Sequence, residues 1–125
     1  MENDLSSQII GAAIEAQKGL GGPGLLESVY EEALCFELSR MNLSYQRQVA
    51  VPIIYKDVKF ANPFFLDLIV KDQIIIEIKA VEKVLPIHKT QLLTYLRLKK
   101  KKLGLLINFG AQYVGQDIRR VINDF

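Results

Sequence analysis

At 125 residues the chain has the length of one ordinary globular domain and enough apolar sequence to build a real core. Half the residues are hydrophobic and 24% are charged, which excludes a disordered chain, and the net charge of +2 does not by itself announce a nucleic-acid partner. No stretch approaches the roughly 20 consecutive apolar residues of a membrane span, and Met1-Glu2-Asn3-Asp4 lacks the positive start of a signal peptide. One cysteine, Cys35, excludes an internal disulfide and fits a reducing compartment, so a cytoplasmic protein is expected.

Residues 4–18 carry Leu5, Ile9, Ala12, Ala13 and Ala16 at helical spacing, with Asp4, Ser6 or Ser7 available as caps. The helix stops in 19–24, GLGGPG, where four glycines and a proline make a tight connection; the run matches no nucleotide-binding loop. A second helix is expected over 25–41, with Leu26, Val29, Tyr30, Ala33, Leu34, Leu38 and Met41 as its apolar stripe. Glu27 projects on the shoulder of that stripe, whereas Glu31 and Glu32 point to solvent. Glu37 lies nearer the stripe's middle, so periodicity alone does not select Glu27.

Residues 45–55 alternate as a strand, with Pro52 marking an edge or bulge, and Lys56-Asp57 turns into a second extended run. Residues 64–79 then read FFLDLIV-KDQ-IIIEIK, the pattern of two neighbouring buried strands. Three charges interrupt the apolar runs: Asp67, Glu77 and Lys79. With an odd number of loop residues Asp67 and Glu77 share a face; a two-residue loop would separate them. Carboxylates among isoleucines are costly unless a positive group accompanies them, and both Lys79 and a metal ion are available for that. An ordinary ion pair at a sheet edge is the plainer alternative.

A third helix is expected over 87–100, and 100° per residue puts His88, Gln91 and Tyr95 within an arc of about 60°. With His88 the sole histidine, no histidine-rich metal site exists. Residues 103–109 form another buried strand, closed by Gly110. Residues 116–125 are read as a last short helix because Ile118, Val121, Ile122 and Phe125 repeat at helical spacing. The order α-α-β-β-β-α-β-α implies an α/β fold, a mixed β-sheet flanked by helices.

Two carboxylates and a lysine on one sheet face suit metal-assisted phosphodiester cleavage. Mg²⁺, or Mn²⁺ in its place, takes oxygen ligands, usually one or two carboxylates with water and substrate phosphate. Asp67 and Glu77 are the candidate carboxylates, the backbone carbonyl of Ile78 a further ligand, and Lys79 the group that orients a water or offsets charge. Tyr95 and the run Lys99, Lys100, Lys101 and Lys102 are candidate nucleic-acid contacts, the lysines through phosphate, although a solvated helix end is the favoured reading of the run, since cations suit a helix C-terminus on their own account.

Asp67 followed by Glu77-x-Lys79 on successive strands resembles the PD-(D/E)xK nuclease superfamily, with its restriction-endonuclease-like core. More narrowly, Gly24-x-x-Glu27-x-x-Tyr30 resembles the signature of the GxxExxY family within it, and the segments 22–34, 74–96 and 104–110 look alike as well. The resemblance spans roughly residues 9–110. It implies that Glu27 rather than Glu37 faces the metal site, and that Gln91 and Tyr95 belong to the helix following the E-x-K strand, Gln91 contacting water or phosphate. The motif does not imply the physiological substrate; the first reading is a small metal-dependent nuclease acting on DNA, with Mg²⁺ or Mn²⁺ as its cofactor. One departure is Phe64-Phe65-Leu66, where relatives carry a polar or basic residue before the aspartate. A small nuclease embracing a duplex is expected to be a homodimer. The competing class is a non-catalytic module that keeps the fold and binds nucleic acid or protein.

Overall fold

The computed structural model describes residues 2–124, with side-chain environments from Asp4 onward. Helix α1 (Glu2–Leu20) is longer than its apolar repeat and carries Leu5, Ile9, Ala12, Ala13 and Ala16 on its buried side. It ends where Gly21 and Gly22 take positive φ (91° and 112°) and donate to the carbonyls of Lys18 and Gln17. Helix α2 (Glu27–Arg40) starts after the glycine loop and buries Tyr30, Glu31, Leu34, Cys35 and Leu38. Its buried face is rotated from the expected stripe: Leu26 and Val29 are exposed, and Glu31, expected in solvent, lies inside.

Strand β1 (Tyr45–Val51) leads into a separate hairpin of β2 (Ile54–Tyr55) and β3 (Val58–Lys59), so the single strand expected over 45–55 is divided. Pro52 lies at the break, where it lacks the N–H that a continuing ladder needs. Strands β4 (Phe64–Val70) and β5 (Ile74–Lys79) form the central antiparallel pair, joined by a three-residue loop in which Lys71 and Asp72 adopt φ of 51° and 55°. Helix α3 (Pro86–Lys99) crosses over to β6 (Leu103–Asn108), which runs parallel to β5.

The final segment departs from expectation. A 3₁₀ turn at Val114–Gln116 precedes β7 (Ile118–Ile122), which pairs antiparallel with β6, in place of the helix expected over 116–125; Phe125 lies outside the described residues. Ile118, Val121 and Ile122 fit a helical repeat, but β6 would otherwise present an open edge of backbone donors and acceptors, and pairing with β7 satisfies them. Asn123 then locks the end by bonding the Lys102 and Lys101 carbonyls (2.8 and 3.1 Å).

Among the described residues the sheet order is β1-β4-β5-β6-β7, with two clusters of buried side chains on its two faces. Helices α1 and α2 cover the face of Leu68, Val70, Ile74, Ile76, Ile78, Leu105 and Ile107. Helix α3 covers the face of Ile69, Ile75 and Leu106 with Leu92, Tyr95 and Leu96. This is the mixed sheet flanked by helices of the restriction-endonuclease-like fold.

Candidate active site

The site begins where the central pair of strands parts. The β4–β5 ladder runs from Val70 opposite Ile74 to Leu68 opposite Ile76 and stops there. One step further, Asp67 stands across from Glu77, because the loop has an odd number of residues. The ladder gives way to a side chain: the Ile78 N–H donates to Asp67 Oδ2 at 2.8 Å. That bond orients the aspartate and fills the gap left by the diverging strands.

The divergence has a source in β1. Tyr45 packs with the α1/α2 cluster, but Val49 and Val51 pack with the α3 cluster, so β1 changes face between them. Strand β4 changes face at the same level, since Leu66 and Ile69 both join the α3 cluster. The residues opposite one another at the change are Gln48, at φ 49°, and Asp67. Glu31, only 7% exposed, holds this point: Arg47 donates to it through Nε (3.1 Å) and pairs through Nη2 (2.9 Å), and Gln48 Nε2 donates to it at 3.1 Å. This pairing raises the Arg47 guanidinium pKa, first through the hydrogen bond to Glu31.

Glu77 lies beside Asp67 on the α3 face. Burial pushes its carboxyl pKa up to about 8, the Asp67 charge and a hydrogen bond with Asp67 push the same way, Lys79 pulls it down and Glu27 adds a smaller upward push. At neutral pH the Glu77 carboxyl therefore favours its protonated form. Tyr95 closes the site from α3. Its phenol is raised to about 12 by burial and then by the charges of Glu77 and Asp67, and its ring stacks on Phe64 at 4.2 Å between centroids.

Lys79 ends β5 opposite Asn108, and the surrounding backbone is fixed. The Phe109 N–H donates to the Lys79 carbonyl at 2.7 Å. Asn108, fully buried, accepts from the Val81 N–H (3.0 Å) and donates to the Val81 carbonyl (2.9 Å) and to Asp117 (2.9 Å). Neither Asn108 nor the Glu31 group was expected from the sequence. A lone asparagine in the apolar run 103–109 was the available signal for Asn108; nothing local marks Glu31, whose partners are on β1.

Glu27 is the first residue of α2 and is exposed. Its charge reaches Glu77, but among the described residues no group of three or more His, Cys, Asp or Glu stands close enough to hold an ion. Glu27 is thus beside the carboxylate pair rather than in it, correcting its expected place as a partly buried ligand. The remainder of its motif is structural. The Tyr30 hydroxyl donates to the Gly22 carbonyl (2.7 Å) and accepts from the Leu25 N–H (3.2 Å), while its ring stacks on Phe109 at 4.7 Å. The tyrosine thereby ties the glycine loop, and the start of α2 that follows, to the end of β6.

Gln91 is exposed on α3 one turn before Tyr95. His88 caps the helix, its Nδ1 accepting from the Leu85 N–H at 3.1 Å. The lysine run is not brought to the site: α3 ends at Lys99, Lys100 takes the left-handed cap, and Lys101 pairs with Asp72 in the β4–β5 loop at 3.1 Å. Because β5 and β6 are parallel, these residues flank the start of β5, whereas Glu77 and Lys79 lie at its end. Tyr95 is buried, so it is no platform for a base. A cavity of about 510 Å³ lined by Ile14, Gln17, Gly22, Tyr113 and Val114 includes none of the three charged residues of the fork.

An acid on each of two diverging strands, with a lysine two residues beyond the second, defines the class: a restriction-endonuclease-like core bearing its D…E-x-K cluster. The chain belongs to the PD-(D/E)XK nuclease superfamily, whose family model matches residues 3–121. No curated protein matches the chain, and no solved structure does. Nucleases of this superfamily generally use divalent metals, and among the described residues no helix is long and apolar enough to cross a membrane.

Proposed function

We propose that the protein is a Mg²⁺- or Mn²⁺-dependent nuclease of the GxxExxY type that hydrolyses phosphodiester bonds in DNA, folded as one domain across residues 1–125. The observation that carries this reading is the placement of Asp67 across from Glu77 where the two strands part, with the Ile78 N–H on Asp67 Oδ2 and Lys79 two residues beyond Glu77. The donor set fits a small hard cation. Mg²⁺ keeps several waters and needs only one or two protein carboxylates, and a buried carboxyl such as Glu77 gains by exchanging its proton for a divalent charge.

Asp67 and Glu77 would hold the ion, with the Ile78 carbonyl available as a third oxygen. When bound, the cation polarises the scissile phosphate and acidifies water. Asp67 is oriented for this task by the Ile78 N–H. Lys79, two residues beyond Glu77 at the end of β5, offsets charge that develops on the phosphate and aligns the attacking water. Glu27, exposed at the mouth, acts through solvent on the approach to the pair, and Gln91 presents its amide to phosphate or water from α3.

The test is a panel of single-stranded, duplex and branched DNA, and RNA, incubated with wild type, Asp67→Ala and Lys79→Ala in Mg²⁺ or Mn²⁺. Cutting by wild type that both substitutions abolish is expected; cutting that survives either one rejects the site. Calorimetric Mg²⁺ binding, expected to vanish in Glu77→Ala, checks the ion separately. If both strands of a duplex are cut, a homodimer is the expected working unit, and light scattering measures it.

A further inference from the structure

Among the described residues the β2–β3 hairpin is exposed throughout, although it carries large apolar side chains between its charges. Ile54 is 65% exposed, Tyr55 58%, Val58 57% and Phe60 47%. None of these four side chains joins either buried cluster of the sheet. The arm is nonetheless well built. Ile54 pairs with Lys59 and Tyr55 with Val58, Lys56 and Asp57 form the two-residue turn with φ of 46° and 67°, and the Phe60 N–H closes the base on the Ile53 carbonyl at 2.9 Å. Pro52 and Pro63 flank it. The rings of Tyr55 and Phe60 stand 6.4 Å apart, and the Lys56 ammonium lies 5.3 Å from the Tyr55 centroid.

Its position ties it to the fork. The hairpin joins the end of β1 to the start of β4, so it leaves the sheet at the end where β5 terminates in Glu77 and Lys79. Phe64, at its exit, stacks on Tyr95, which feels the charges of Glu77 and Asp67. Phe60 and Asp67 are seven residues apart, at most about 25 Å of extended chain, the reach of a short run of nucleotides.

Exposed aromatic rings interleaved with Lys56 and Lys59, against the single acid Asp57, match one ligand chemistry: polyanion with free π-faces. Duplex bases are stacked on one another and cannot offer those faces. We infer that the β2–β3 hairpin, through Tyr55 and Phe60 with Lys56 and Lys59, is an arm that grips the unpaired bases of a single-stranded stretch beside the bond cut at the fork. The inference rests on the nuclease reading, and it extends it to a substrate class. Tyr55 and Phe60 receive bases, and the two ammonium groups receive the adjoining phosphates.

Binding is measured without metal, so it does not depend on cutting. Full-length wild type, Tyr55→Ala/Phe60→Ala and Lys56→Ala/Lys59→Ala are titrated by fluorescence anisotropy against labelled dT20, rU20 and a blunt 20-base-pair duplex in EDTA. Wild type is expected to prefer a single strand, and the arms of DNA and RNA say which sugar is taken. The aromatic pair should weaken single-strand binding about 10- to 100-fold with little change on duplex. The lysine pair should lower the slope of log K against log salt by about 1.4. All four side chains are exposed, so melting should be unchanged, and circular dichroism verifies it. Single-strand affinity indifferent to the aromatic pair in folded protein overturns the inference. So does a wild-type dimer that the same substitution turns into monomer without loss of binding, which would make the arm a self-association surface. Wild type that binds single strands through the arm but never cuts in Mg²⁺ defeats the nuclease reading and leaves the arm standing.

Discussion

Replacing Glu77 by glutamine isolates the electrostatic cost of the fork. In the folded, metal-free protein the carboxyl titrates near 8, against 4.5 for an unburdened glutamate. Between those values the folded chain holds a proton that the unfolded chain has released. Stability is therefore fully present below about 4.5 and is lost as pH rises toward 8, by up to about 1.4 kcal/mol per pH unit. The window sets a ceiling on the order of 5 kcal/mol. Glutamine resembles the protonated acid in shape and never ionises, so Glu77→Gln should come nearest to wild type at pH 5, within about 1 kcal/mol, and exceed it increasingly up to about pH 8. Urea unfolding in EDTA at pH 5, 6, 7 and 8.5 measures this gap. Mg²⁺ at pH 8.5 should raise the wild-type midpoint, since an ion bound only by the folded state stabilises it, and should do much less for the variant. A gap that stays constant with pH would refute the raised Glu77 carboxyl.

Other outcomes follow from single contacts. A Cβ on Gly110 would lie 2.2 Å from the Val81 carbonyl oxygen and 2.6 Å from its nitrogen, so Gly110→Ala should cost about 2–4 kcal/mol in urea unfolding. Gly104→Ala meets only Leu92 side-chain atoms, at 3.0 Å, and should cost less. Tyr30→Phe removes both bonds to the glycine loop and should lower stability by about 1–2 kcal/mol, with faster amide exchange at Leu25 in the same sample. Glu31→Ala strands Arg47 and Gln48 and should cost about 2–4 kcal/mol, most of it recovered by Glu31→Gln, as thermal melting can show. Cys35, raised to about 11 chiefly by burial, should react with a thiol reagent at pH 8 only at the rate of unfolding; fast labelling of native protein would contradict its placement.

Much of the fork was legible in the sequence because strand geometry is strict. The runs 64–70 and 74–79 are too apolar and too short to be other than buried strands, and a three-residue break puts Asp67 opposite Glu77 by counting alone. The C-terminal strand was not legible: its apolar residues suit a helix or a strand equally, and the deciding factor, the open edge of β6, is tertiary. Burial of Glu31 was hidden for the same reason, since Arg47 and Gln48 arrive from an element 16 residues away. For the lysine run the sequence leaves both a phosphate grip and a solvated helix end open, because it shows charge but not which end of a sheet the charge occupies.

The paired change of face at Gln48 and Asp67 carries a practical consequence for engineering. Each strand makes its half-turn at the same rung, so the two errors cancel and the register beyond them is preserved. Deleting one residue from either strand alone would leave the other's irregularity without its match, and every side chain downstream would look the wrong way. Grafting the acid into an ordinary flat hairpin is expected to fail for the converse reason: with the rung unparted, the neighbouring backbone N–H meets a carbonyl and leaves the carboxylate no donor.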